Sequence, residues 1–150
     1  MTYDISEIQN IIAGAIITKN DTFVDKFYHQ LLVQKKALEL VNDYGYKTEQ
    51  WEEQFKDWCE KEHTDIKKFK PWFTFDRNKN VKFKYFYGSH TFHIETGEPL
   101  ENEAIVYNID VSKMICVLNY YLDLINNQNE KIIASIEKAH DAFCLTRKRS

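Results

Sequence analysis

Residues 71–87 decide the fold: Pro71-Trp72-Phe73-Thr74-Phe75-Asp76-Arg77-Asn78-Lys79-Asn80-Val81-Lys82-Phe83-Lys84-Tyr85-Phe86-Tyr87. Before Pro71, apolar residues recur every three to four positions; after it, they alternate. Period two puts Val81, Phe83, Tyr85 and Tyr87 on one face of a strand and Lys82, Lys84 and Phe86 on the other. Trp72 to Phe75 alternates in the same way, and the polar stretch Asp76 to Asn80 lies between the two runs. Two alternating runs around a short polar turn predict an antiparallel hairpin.

Downstream, Gly88-Ser89 turns the chain into a third strand, His90 to Glu95. A loop follows at Thr96-Gly97-Glu98-Pro99, then a fourth strand from Ala104 to Ile109. Both flanks are helical by spacing. Ile5, Ile8, Ile12 and Ile16 mark a helix from Asp4 to about Lys19, with Asp4 and Glu7 as a capping box. Phe23, Phe27, Leu31, Leu38 and Val41 mark another from Thr22 to Asn42, with Gly45 just past its end. Thr48 opens a third, with Trp51, Phe55, Trp58 and Glu62 on one face, and Pro71 ends helical structure. After the strands, Met114, Leu118, Tyr121, Leu122 and Ile125 stripe a helix capped by Asp110 or Ser112. Ile132, Ile133, Ile136, Ala139, His140 and Phe143 stripe a last one, from about Glu130 to Thr146. Its short Asn126–Asn129 connection predicts antiparallel packing of this pair. The chain therefore reads as one α+β domain over residues 1–150. A four-stranded antiparallel meander, about 72–109, packs with N-terminal helices and a C-terminal helical hairpin.

Composition excludes several chemistries. The 150 residues hold only four Gly and two Pro. Gly14, Gly45, Gly88 and Gly97 lie too far apart for a G-x-G-x-x-G turn or a Walker A loop. G-x-S-x-G and H-E-x-x-H do not occur. The longest apolar run, Ile11 to Ile17, is far short of the about 20 residues a membrane span needs. The acidic start lacks the cationic region of a signal peptide. Cys59, Cys116 and Cys144 are odd in number and widely spaced, as free thiols in a cytoplasmic protein would be.

The net charge of −3 hides a strong asymmetry. Residues 1–66 hold 7 Lys against 13 acids, residues 67–90 hold 6 Lys and 1 Arg against 1 Asp, and residues 91–110 hold 5 acids and no Lys or Arg. A basic block thus lies between two acidic ones, which bears on partners more than on fold. Lys outnumbers Arg 17 to 3, a usage in keeping with A/T-rich coding of the bacterial, phage or mobile-element type.

Three sites follow. The basic block interleaves Lys with aromatic rings, and its outward face collects Trp72, Thr74, Lys82, Lys84 and Phe86, with Arg77 and Lys79 at the turn. Lys neutralises phosphate and rings stack on bases, so a single-stranded nucleic acid would fit residues 67–93; so would a protein anchored on the aromatics. The acidic loop, with Glu98, Glu101 and Glu103, would steer a basic partner. His90, His93 and Glu95 could form an acid–base group, although residues three apart on a strand point to opposite faces. Cys59, Glu60 and His63 share a helix but lack the second cluster that a zinc site needs. With no catalytic motif, the sequence predicts a non-catalytic, cytoplasmic protein without metal or cofactor. Its expected action is to occlude a macromolecular partner, a protein first, as small immunity proteins and phage-encoded inhibitors do. Single-stranded nucleic-acid binding is the alternative, and an enzyme at His90, His93 and Glu95 the third reading.

Overall fold

Four α-helices, a 3-10 turn at Ile66–Lys68 and five short strands make up the computed structural model, which describes residues 22–100 and 107–149, with backbone alone from 146 onward. The expected helix from Asp4 to Lys19, Glu101, Glu103 and the start of the fourth expected strand lie outside the described residues. Helix α1 spans Phe23–Tyr44; the Thr22 hydroxyl caps it by accepting the Asp25 N–H at 3.1 Å. Helix α2 spans Glu49–Lys61, capped by Thr48. Helix α3 spans Val111–Asn126, and of the two candidate caps it is Asp110 that accepts the Lys113 N–H, at 2.9 Å. Helix α4 spans Glu130–Arg149, with Asn129 accepting the Ile132 N–H at 3.1 Å. Each cap satisfies one of the N–H groups that a helix start leaves open.

Helix α1 is the hub, packed along α3 and also against α2 and α4. Phe27, Leu31, Ala37 and Leu38 meet Met114, Leu118, Ile136 and Ala139 in one apolar cluster to which every helix contributes. On α2 the inward line is Trp51, Phe55 and Cys59; Trp58 is half-buried and Glu62 exposed.

All strand pairs are antiparallel, but the meander is divided between two small sheets. Strands β1 (Phe73–Phe75), β2 (Val81–Phe83) and β5 (Tyr107–Ile109) form one in the order β1-β2-β5, and β3 (Tyr85–Tyr87) pairs with β4 (His90–Phe92). The single long strand read at 81–87 thus breaks at Lys84. Phe73 pairs with Phe83, and one step on the Lys84 N–H still reaches the Trp72 carbonyl at 3.0 Å. The next residue back is Pro71, which has no N–H to continue the ladder. Tyr85 to Tyr87 therefore turn to the following segment, through the two-residue loop Gly88-Ser89. Alternation survives the break: Val81, Phe83 and Tyr85 are buried and Lys82, Lys84 and Phe86 are not.

The third expected strand is shorter than its period suggested. After Phe92 the chain closes a turn, with the Gly97 N–H on the His93 carbonyl at 2.7 Å. This turn lies on α4. Gly97 has φ +77°, and a Cβ there would fall 2.6 Å from the Ser135 carbonyl oxygen. Only glycine tolerates both the left-handed backbone and that approach.

Candidate partner-binding surface

Four residues of the basic aromatic segment come together. Thr74 pairs with Lys82 across β1 and β2, and Trp72, Lys82, Lys84 and Phe86 border one concavity of about 320 Å³. The Trp72 and Phe86 ring centres stand 5.9 Å apart, tilted by 36°. The same two rings border a second concavity of about 670 Å³, which adds Lys26 and Gln30 of α1, Lys68, Lys70 and the Gly88-Ser89 turn. Pro71 lines both. Trp72 and Phe86 thus make an aromatic ridge between two adjoining grooves.

The electrostatics of this surface are one-sided. Among the described residues, no Asp or Glu lines either groove, and Lys26, Lys68, Lys70, Lys82 and Lys84 form no ion pair. Like charges gathered around a partly apolar concavity focus a positive potential there.

The ridge is not free on all sides. Trp72 is half-buried; its ring stacks on Phe27 of α1 at 5.8 Å and meets Phe83 edge-on at 6.1 Å. Its backbone is held too. Buried Gln34 accepts the Trp72 N–H at 2.9 Å and donates to the Lys70 carbonyl at 3.0 Å, gripping the chain on both sides of Pro71. Neither Lys26 nor Gln34 figured in the sequence reading. Gln34 had a visible signal: it is a polar residue in the apolar line of Phe27, Leu31 and Leu38. Lys26 had none, because only the fold brings α1 beside the hairpin.

The remaining candidates fall elsewhere. Arg77 and Lys79 are exposed in the hairpin turn and line neither groove. The Asp76 carboxylate organises that turn by accepting the N–H groups of Asn78 and Asn80, both at 2.9 Å. In the acidic loop, Glu98 pairs with Lys138 and Glu95 with Lys131, so α4 supplies bases that local sequence did not reveal. Glu95 also accepts the Tyr121 hydroxyl at 2.6 Å. That bond, then Lys131, holds the Glu95 carboxyl below its ordinary range. Burial, followed by the Glu95 contact, pushes the Tyr121 hydroxyl well up. Tyr85, buried and 3.2 Å from the Tyr107 hydroxyl, is raised by burial as well.

His90, His93 and Glu95 are not joined by any hydrogen bond among the described residues. His93 is exposed, and the His90 Nε2 is buried with no hydrogen-bond partner among the described residues. Cys59 is buried, its thiol pushed up by burial, whereas His63 is exposed just beyond the end of α2. No group of three or more His, Cys, Asp or Glu is placed to hold a metal ion among the described residues, and no described helix is long and apolar enough to cross a membrane. No protein-family profile, curated protein or solved structure matches this chain.

Proposed function

We propose that this chain is a non-catalytic binding protein that occludes an acidic protein partner, with the Trp72–Phe86 ridge as anchor and the flanking lysines as electrostatic complement. The observation that carries this reading is the set of five lysines, unpaired among the described residues, around two aromatic-walled grooves. Anchors at interface centres are typically aromatic, and a one-signed rim speeds encounter with the opposite sign. A protein fits better than a single strand of nucleic acid because Trp72 already engages Phe27, Phe83 and Phe86 and offers less open ring for a base. Base stacking needs an uncovered ring face. A reducing, cytoplasmic setting suits the three unbridged cysteines, and the immunity or phage-inhibitor type remains the biological role this reading favours.

The test is capture from the native host with tagged wild type and a Lys82→Glu/Lys84→Glu variant. One acidic protein, eluted by salt and lost with the variant, is the expected result. A captured species removed by nuclease would overturn the protein reading in favour of nucleic acid. Equal capture by the two forms would overturn the site.

A further inference from the structure

Outside this surface, α4 assembles a second group of reactive side chains. Cys144 lies one turn beyond His140, and its Sγ stands 3.4 Å from the His140 Nε2. The other ring nitrogen, Nδ1, stands 3.3 Å from the Asp141 carboxylate. A proton on Nδ1 satisfies both contacts, donating to Asp141 and leaving the Nε2 lone pair toward the thiol. Two other elements hold the ring in place. Phe23 of α1 stacks on it at 4.2 Å and 12°, and Tyr87 of β3 meets it edge-on at 5.3 Å. Thiol, imidazole and carboxylate thus stand in the order that activates a nucleophile: a base within reach, oriented by a third group.

The two other cysteines lack this arrangement. Cys59 is 1% exposed. Cys116 is exposed with no imidazole bonded to it among the described residues. Cys144 is only part-buried, so small reagents can reach it.

We propose that Cys144 is a reactive thiol, with His140 as its base, that takes up small electrophiles of the hydroperoxide class. In that step the His140 Nε2 accepts the thiol proton as Sγ attacks one peroxide oxygen. An S–O bond forms while the O–O bond breaks. The departing hydroxide, or alkoxide for an organic hydroperoxide, takes the proton back from the imidazolium and leaves as water or the alcohol. Cys144 is oxidised to a sulfenic acid and the peroxide is reduced. Among the described residues, Tyr87 from β3 and Asp141 from α4 are the titratable groups in contact with this pair; Phe23 from α1 adds an apolar wall. The site shares Tyr87 with the wall of the larger groove, but the proposal does not rest on the partner-binding reading.

The native protein carries its own controls for the test. A short pulse of iodoacetamide at about pH 6.5, near the ordinary imidazole pKa, is followed by mass spectrometry of the three cysteine peptides. Cys144 is expected to react at least about tenfold faster than Cys116, because a positioned base acts on it alone. His140→Gln should bring Cys144 to the Cys116 rate and leave Cys116 unchanged. If His140→Gln unfolds the protein, labelling of Cys59 will report it. Asp141→Asn, at an exposed position, then decides by slowing Cys144 while Cys59 stays protected. With hydrogen peroxide and dimedone, the adduct should form on Cys144 before Cys116. Equal rates at Cys144 and Cys116 in the wild type, no slowing in a folded variant, or no dimedone adduct on Cys144 would overturn the proposal.

Discussion

Gln34 and Trp72, 38 residues apart in sequence, are joined by a 2.9 Å hydrogen bond from the Trp72 backbone N–H to the Gln34 side-chain oxygen. The same amide donates to the Lys70 carbonyl. Pro71 has no N–H of its own, so the chain arrives at β1 with backbone groups that neither helix nor sheet satisfies. Gln34, 1% exposed within α1, supplies both partners. It fixes where the hairpin starts relative to the helix, and with that the distance between Lys26 and Trp72 across the larger groove.

Gln34→Ala should therefore destabilise the fold by about 1–3 kcal/mol, the range for leaving a buried hydrogen-bonding group unpaired. Gln34→Glu tests the direction of the grip. It keeps the acceptor for Trp72 but turns an oxygen toward the Lys70 carbonyl, so it should destabilise as well. Urea midpoints of the three forms check both; an unchanged midpoint for Gln34→Ala would show that water replaces the amide.

How far the sequence carried these conclusions depends on the range of each interaction. Period alone located the four described helices, and Thr22, Thr48 and the pair Asp110 or Ser112 marked three starts through local capping chemistry. Period two located the hairpin and sorted Val81, Phe83 and Tyr85 from Lys82, Lys84 and Phe86. The division into two sheets just past Lys84 depends on Pro71 standing opposite Tyr85, 14 positions away in sequence. The left-handed backbone at Lys79, φ +63°, is likewise a property of the closed turn. For the site, local sequence gave the ridge and its lysines. It could not supply Lys26, nor reveal that Lys131 and Lys138 face the acidic loop, because each comes from a distant helix.

The C-terminal helices carry much of the core. Leu118 is 0% exposed, so Leu118→Ala should cost about 2–5 kcal/mol, the transfer term plus that of the cavity left behind. Leu145, 56% exposed on α4, is the control, and Leu145→Ala should stay within about 0.5 kcal/mol of wild type. Denaturation midpoints at matched slopes check the pair.

Gly97→Ala sets backbone against backbone. Its left-handed φ alone costs a non-glycine residue about 1–2 kcal/mol, and the Ser135 carbonyl 2.6 Å from the new Cβ belongs to α4 and cannot swing away. The loss should exceed that figure, and thermal unfolding of the variant measures it. A Gly97→Ala protein as stable as wild type would show that the turn lifts freely from the helix.

Stability should respond to pH at both ends of the range. Glu95 has a depressed pKa in the folded state, from its bonds to Tyr121 and Lys131. Its contribution is therefore present above the unfolded-state value of about 4.3 and is lost as pH falls through the folded one. The Glu95 side chain is 44% exposed, so solvent screening keeps the effect below about 1 kcal/mol. Glu95→Gln should remove that acid-side loss in urea midpoints measured from about pH 7 to about pH 3. Tyr85 and Tyr121 have raised values, mainly from burial. Their neutral forms favour the fold, and stability should decline as pH rises past the ordinary tyrosine value of about 10. Of the nine tyrosines, these two should ionise only as the protein unfolds, which absorbance near 295 nm follows directly.

The two rings of the ridge should separate scaffold from anchor. Trp72 touches Phe27 and Phe83, and its N–H is held by Gln34, so its removal disturbs the junction of α1 with the hairpin. Trp72→Ala should cost about 1–3 kcal/mol of stability, less than for a fully buried ring because this one is half-buried. Partner binding should fall with it. Phe86 is also half-buried but lies on the outward face of β3, where, among the described residues, its ring meets only that of Trp72. Phe86→Ala should lower stability by under about 1 kcal/mol and weaken partner binding by roughly tenfold or more, as loss of an interface anchor does. Unfolding and affinity measured on the same two proteins give four numbers. If Phe86→Ala unfolds the chain as readily as Trp72→Ala, the ridge is core and the partner surface lies elsewhere. If Phe86→Ala leaves both quantities unchanged, the lysines alone hold the partner, and raising salt should then abolish binding in wild type and variant alike.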